Sequence, residues 1–148
     1  MQRDYESIIQ VTDVDTISIT ASAAVTTLGT AIDTQGLRGI VFTVEPDEAI
    51  GTDDVTFEIH ECATAAGTYA EIDTSKYLPT SAKLAAARKV TDAASGLIQT
   101  FACTSNLRYI KPAIDPTTVA DDITFSVTVI KFPELVDAGD LGPADSLP

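Results

Sequence analysis

The chain predicts an all-β fold: one antiparallel β-sandwich, jelly-roll-like, of about seven or eight strands, with extended N- and C-terminal arms. Two observations carry this. Across residues 53–61, DDVTFEIHE, Val55, Phe57 and Ile59 point one way while Thr56, Glu58 and His60 point the other. Strict alternation marks a strand with one face in a core and one in water. The pattern recurs at Ile40-Phe42-Val44 and at Ile123-Phe125-Val127-Val129. The second observation is size: 148 residues with 45% hydrophobic content suit one domain whose core needs no staples.

Residues 1–15 are polar and mixed and read as an N-terminal arm. Thr16-Ile17-Ser18-Ile19-Thr20 alternates and is β-branched, so it is the first expected strand. Residues 23–28 form a small-residue strand closed by Gly29, and residues 32–36 form a turn. Residues 39–45 are a strand stopped by Pro46. The polar loop 47–52 leads into the strand at 54–61, and these two strands read as a hairpin with a longer loop. Small residues at 63–67 turn the chain into a short strand at 68–72. Residues 81–89 are alanine-rich and hold Lys83, Arg88 and Lys89. Their propensity favours a short helix inside a long excursion that Gly96 ends. Residues 97–104, 107–114 and 123–132 are the last three strands, with Asp115-Pro116 and Ala120-Asp121-Asp122 punctuating the last connection.

From Pro133 the sequence PELVDAGDLGPADSLP reads as an extended acidic C-terminal tail. The sandwich domain is therefore residues 16–132, between an arm at 1–15 and a tail at 133–148. Its buried face is expected to include Ile40, Phe42, Val44, Val55, Phe57, Ile59, Leu107, Tyr109, Phe125, Val127 and Val129.

Charge narrows the partners. The net charge is −13, from 22 acids against 9 bases. Phosphate binding needs clustered Lys and Arg, so nucleic acid is not an expected partner. An anionic membrane surface is disfavoured for the same reason, and no run approaches the length of a membrane span. The start, Met1-Gln2-Arg3-Asp4-Tyr5-Glu6, is polar with no apolar segment behind it, so folding in the cytoplasm is expected. An acidic exterior suits a partner with a basic patch.

Each candidate for chemistry has a plainer structural reading. His60, the single histidine, sits on the polar side of its strand between Glu58 and Glu61 and reads as solvated rather than as a base or metal ligand. Asp53-Asp54 and Asp121-Asp122 each open a strand. Paired carboxylates can ligate calcium, but turn chemistry accounts for them equally well. Lys83, Arg88 and Lys89 are a local inversion of charge and read as a solvated loop before a docking site. Cys62 and Cys103 lack metal-site spacing and read as reduced thiols, a disulfide being the minority reading. No nucleophile elbow or triad is suggested. With no Trp and four Tyr, a sugar platform is poorly supplied.

A set of short motifs stands in one order along residues 32–131. They are Asp33-Thr34-Gln35-Gly36, Val41-Phe42-Thr43-Val44, the stretch Thr52-Asp53-Asp54-Val55-Thr56-Phe57-Glu58-Ile59-His60-Glu61, Gly67-Thr68-Tyr69 and Leu107-Arg108-Tyr109-Ile110. In that order they resemble a family of small virion proteins of tailed phages, the capsid decoration or cement proteins, encoded near the major capsid protein. Two places depart from the pattern: Cys62-Ala63-Thr64-Ala65-Ala66-Gly67 replaces an acidic turn, and the alanine-rich excursion has no counterpart. The resemblance implies no enzymatic activity and no cofactor. It implies the major capsid protein as partner, a homo-oligomer (dimer or trimer) on the capsid, and the virion surface as location. The polar ends are then the expected means of attachment, with Arg3, Tyr5, Leu135, Val136 and Leu141 as candidate capsid contacts. The alternative from another class is a carbohydrate-binding or adhesin-like module, which would need exposed aromatics on one sheet or a calcium site.

Overall fold

The computed structural model describes residues 13–22, 25–47, 50, 54–78, 88–90, 99–105, 107–118 and 122–133. They form ten strands: β1 Asp13–Ala21, β2 Thr27–Leu28, β3 Ile32–Asp33, β4 Leu37–Pro46, β5 Asp54–Cys62, β6 Ala70–Glu71, β7 Tyr77–Leu78, β8 Gln99–Cys103, β9 Tyr109–Thr118 and β10 Ile123–Pro133. A 3-10 turn, Thr74–Lys76, interrupts them. Asp73 caps that turn by accepting from the Ser75 backbone N–H at 2.8 Å.

The strands build two antiparallel sheets. One has the order β1-β10-β4-β8-β7, and the other β2-β9-β5-β6 with β3 also on β9. The sheets pack face to face as a β-sandwich. Most connections cross from one sheet to the other, as a jelly roll's do. The expected hairpin of β4 with β5 is corrected by this arrangement. β4 pairs with β10 and β8, whereas β5 pairs with β9 and β6. The loop between them crosses the sandwich instead of turning back within one sheet.

The alternation read at three places becomes the core. Phe42, Val44, Val55, Phe57, Ile59, Phe125, Val127 and Val129 are fully buried, and Ile40 nearly so. Three rings join the layers. Phe57 of one sheet stacks on Phe101 of the other at 4.8 Å and tilts against Phe42 at 5.7 Å. Such pairs add about 0.5–1.5 kcal/mol beyond their burial.

Several boundaries move. β1 begins at Asp13, inside the expected arm, because Asp13, Val14 and Asp15 already pair with β10. Residues 32–33 are a strand on β9, and the turn tightens to Gln35-Gly36. Gly36 has φ 75°, a conformation costly for a side chain with Cβ. Of the strand expected over 23–28, the described part is Thr27–Leu28 and a bridge from Ser22 to Val25. The helix expected over 81–89 lies mostly outside the described residues.

The strand β9 departs furthest from expectation. It runs through Pro112 and Pro116 to Thr118. Proline removes a ladder donor, but Pro112 accepts from Gly29 N–H at 2.8 Å, so residue 112 faces the gap between the short strands β2 and β3. By the period of two, Pro116 faces the same side, past the last β2 pair at Ile114. Each missing N–H therefore falls where pairing is broken or finished. Gly29 is needed at the gap, since a Cβ there would meet Ile17 and Ile19 at 3.0 Å and Pro112 at 3.1 Å.

Register on β9 also corrects the buried face. Ile110, Pro112 and Ile114 are fully buried, while Tyr109 is half-buried and Leu107 is 38% exposed. The pairing of Phe57 with Ile114 and Glu61 with Ile110 sets this phase, and a one-residue slip would invert it. Ile110→Ala is expected to cost about 2–5 kcal/mol in urea denaturation. Leu107→Ala should fall within about 0.5 kcal/mol of the native chain. The opposite ranking would place β9 in the other register.

Candidate functional site

Three groups of side chains were brought together by the fold: the outer edge of β5, one end of the sandwich, and the outer face of the β1-β10-β4-β8-β7 sheet. The edge of β5 is built from residues far apart in sequence. Val90 N–H donates to the Val55 carbonyl at 2.8 Å, and Ile72 N–H to the Ile59 carbonyl at 2.9 Å. Between them, Ile59 N–H donates to the hydroxyl of Tyr77 at 2.9 Å. Tyr77 belongs to β7, at the edge of the opposite sheet, and is fully buried.

Around that hydroxyl lies a polar cluster. The Tyr77 hydroxyl lies 3.3 Å from Glu71 Oε1, and Arg88 Nη2 donates to the same oxygen at 2.8 Å. The Arg88 guanidinium lies 4.2 Å over the Tyr77 ring, a stacking that favours a cation on a π face. Burial pushes the Tyr77 phenol well above its ordinary value, opposed by the Ile59 hydrogen bond and by Arg88. The hydroxyl thus stays protonated and both accepts and donates. Arg88 is 4% exposed, which corrects the solvated-loop reading for it. Lys89 is exposed and bridges to Thr56, and Lys83 lies outside the described residues.

His60 is likewise not solvated. Its side chain is 14% exposed, and Nε2 sits 2.8 Å from Glu58 Oε2. Cross-strand neighbours Lys111 and Glu71 flank it. A His–carboxylate pair is half of a general-base arrangement. Here Nδ1 is buried and, among the described residues, without a hydrogen-bond partner. Of the paired acids, Asp54 begins β5 and Asp122 precedes β10, with Asp53 and Asp121 outside the described residues. Among the described residues, no group of three or more His, Cys, Asp or Glu could hold a metal ion.

The second group lies at the end of the sandwich where β1, β4 and β9 begin and β5, β8 and β10 finish. Arg108 clamps Asp33 with Nε at 3.1 Å from both carboxylate oxygens and Nη2 at 2.8 Å. The Arg108 hydrogen bonds hold the Asp33 carboxyl below its ordinary range, helped by the Gln35 backbone N–H. Thr34 donates through both its N–H and its hydroxyl to the Arg108 carbonyl. Glu61 receives Lys76 and, at 2.8 Å, Ser105. The motifs at 33–36, 56–61 and 107–110 thus serve as ties across this end. Beside them opens a cleft of about 310 Å³, with Leu37, Ile40, Cys103 and Ile110 inside and hydroxyls of Thr34, Thr104 and Ser105 at its rim.

Both cysteines are free thiols. Cys62 is half-buried and lies so close to Gly67 that a Cβ there would come within 2.4 Å of its sulfur. Cys103 is buried, and burial pushes its thiol up to about 12, with Glu61 adding to the rise and Lys76 opposing it. The candidate capsid contacts Arg3, Tyr5, Leu135, Val136 and Leu141 all lie outside the described residues. Among the described residues, no helix is long and apolar enough to cross a membrane.

Two outcomes follow from this geometry. Tyr77→Phe leaves Ile59 N–H buried without its acceptor and is expected to cost about 1–3 kcal/mol by chemical denaturation. A neutral result would mean that water or another group takes over the bond. Cys103 should resist thiol reagents near pH 9, where an unfolded thiol is largely ionised, and react once the chain is unfolded. Rapid labelling of Cys103 in the native protein, read by peptide mass, would contradict its placement in the core. No protein-family model, no curated protein and no solved structure matches this chain.

Proposed function

We propose that this protein is a structural virion protein, made in the host cytoplasm, that decorates and stabilises a phage capsid by binding across major capsid protein subunits. The observation that carries the reading is the position of the two chain ends. Asp13, at the start of β1, pairs with Lys131, near the end of β10, and Pro133 pairs with Leu37. Asp13 and Pro133, the first and last described residues, therefore lie at one end of the sandwich. That end also carries the Asp33–Arg108 clamp and the cleft floored by Leu37, Ile40 and Ile110.

A protein that coats a shell needs a rigid body and a single face turned toward the surface. The sandwich supplies the first, and the end shared by Asp13 and Pro133 supplies the second. The order of motifs along residues 32–131 supports the same reading by resemblance. The net charge of −13 favours basic patches on the shell and a salt-sensitive association rate.

Because β1 begins at Asp13, the test removes residues 1–12 and, separately, 134–148. Binding to expanded and unexpanded shells is read by co-sedimentation. Each deletion is expected to weaken attachment at least about ten-fold, the loss of ~1.4 kcal/mol of contacts, with far-UV dichroism unchanged. Undiminished attachment of both variants would remove the chain ends as the means of binding. Failure of the intact protein to bind any shell would overturn the function itself.

A further inference from the structure

We propose that the outer face of the β1-β10-β4-β8-β7 sheet is the interface of a homodimer. The proposal concerns the isolated protein and stands apart from shell binding. The face follows from register. Cross-strand pairing sets Val14 beside Ile130, Ile130 beside Val41, Val41 beside Ala102, and Ala102 beside Leu78. One apolar row thus crosses all five strands. The next row is Thr16, Thr128, Thr43 and Thr100, again partner to partner. Beyond it Ser18 meets Ser126, and Thr20 meets Thr124 with their hydroxyls 3.1 Å apart.

Charge singles this face out. In a chain of 22 acids and 9 bases, its charges among the described residues are Glu45 and Asp47, both at one margin. Asp15 and Lys131 of the same strands pair with each other on the opposite side. Two copies each carrying −13 repel, so self-association needs a surface with little charge to bury. The row is exposed at its two edges, Val14 at 56% and Leu78 at 44%, while Val41, Ile130 and Ala102 between them are half-buried.

Its size suits a second copy. Strand spacing and rise give a face of about 20 Å by about 27 Å, or about 500 Å² per copy. Two such faces reach about 1,000 Å², the lower bound for a specific interface. The row is also complementary to itself. A two-fold axis parallel to β4, the central strand, lays Val41 on Val41, Ile130 on Ala102 and Val14 on Leu78. Large residues then meet small ones along its inner positions, and an isologous contact of this kind closes at two copies.

Sedimentation equilibrium of the full chain, from about 1 to about 100 μM, covers the range expected of an interface this small. The native protein should reach twice the 15.6 kDa chain mass. Val41→Glu should weaken the dimer at least about ten-fold, by placing two carboxylates on the axis. Thr68→Glu, an exposed loop position away from the sheet, should leave it intact. A short bis-maleimide, which spans the roughly 10 Å between facing sheets, should join Val41→Cys into a covalent dimer that the native chain does not form. A native chain that stays monomeric, a trimer, or a dimer indifferent to Val41→Glu would overturn the proposal. Should Val41→Glu unfold, the cysteine variant decides, and its failure to cross-link would overturn the proposal equally.

Discussion

The hydrogen bond from Ile59 N–H to the Tyr77 hydroxyl is the constraint on which the sandwich depends. β5 lies near the margin of its sheet, and its outward backbone groups have only the two-residue β6 as a regular neighbour. An edge left open in this way would be a template for another chain. It is closed in pieces: Val90 takes the Val55 carbonyl, Ile72 the Ile59 carbonyl, and a side chain from the opposite sheet the Ile59 N–H. Because that side chain is anchored in β7, the same bond that caps one sheet ties it to the other. Glu71 and Arg88 then fix the phenol, one by hydrogen bonding to it and the other by stacking on it. Tyr77 and Arg88 are buried, so each would carry an uncompensated desolvation cost without its partners.

This dependence explains what the sequence could and could not reveal. Alternation is local, so β4, β5 and β10 were legible with their buried faces correct. In β9 apolar residues occupy both phases, at Tyr109 as well as at Ile110 and Ile114, and local pattern cannot choose between them. The choice is made by pairing with β5, a relation between strands. Pro116 misled for a similar reason, since proline interrupts a strand only where its missing N–H would have met a partner. The β4–β5 hairpin failed because a polar loop between two strands does not reveal whether it crosses the sandwich. The Tyr77, Glu71 and Arg88 cluster was not legible at all. Its members come from three segments, and each alone reads as an ordinary polar or aromatic residue.

The site expected from sequence was partly beyond reach for a different reason. The family resemblance implies polar ends as attachment segments, but a contact residue there is defined by its partner and leaves no periodic trace. The motifs of the described domain have a different use. Asp33, Thr34, Glu61, Ser105 and Arg108 bond to one another across one end of the sandwich. They tie that end together. His60 follows the same pattern, held by Glu58 with its other nitrogen enclosed. Function is therefore sought in surfaces: the end that holds Asp13 and Pro133, and the weakly charged outer face of the β1-β10-β4-β8-β7 sheet.

These two surfaces are geometrically compatible. A two-fold axis parallel to β4 reverses the sheet normal but keeps the direction of the strands. Both copies of the proposed dimer would then turn the same end outward, the one that holds Asp13 and Pro133, to which residues 1–12 and 134–148 are joined. Four segments would approach one surface together. Once the first has engaged, the others meet their sites at an effective concentration set by the short distance between copies, so modest individual contacts add to a firm attachment. A two-fold perpendicular to the strands, lying across the sheet, would point the two ends in opposite directions and lose this gain. The charge distribution fits the same division of labour: a nearly uncharged face for a like-charged copy, and acidic segments for a surface of opposite sign.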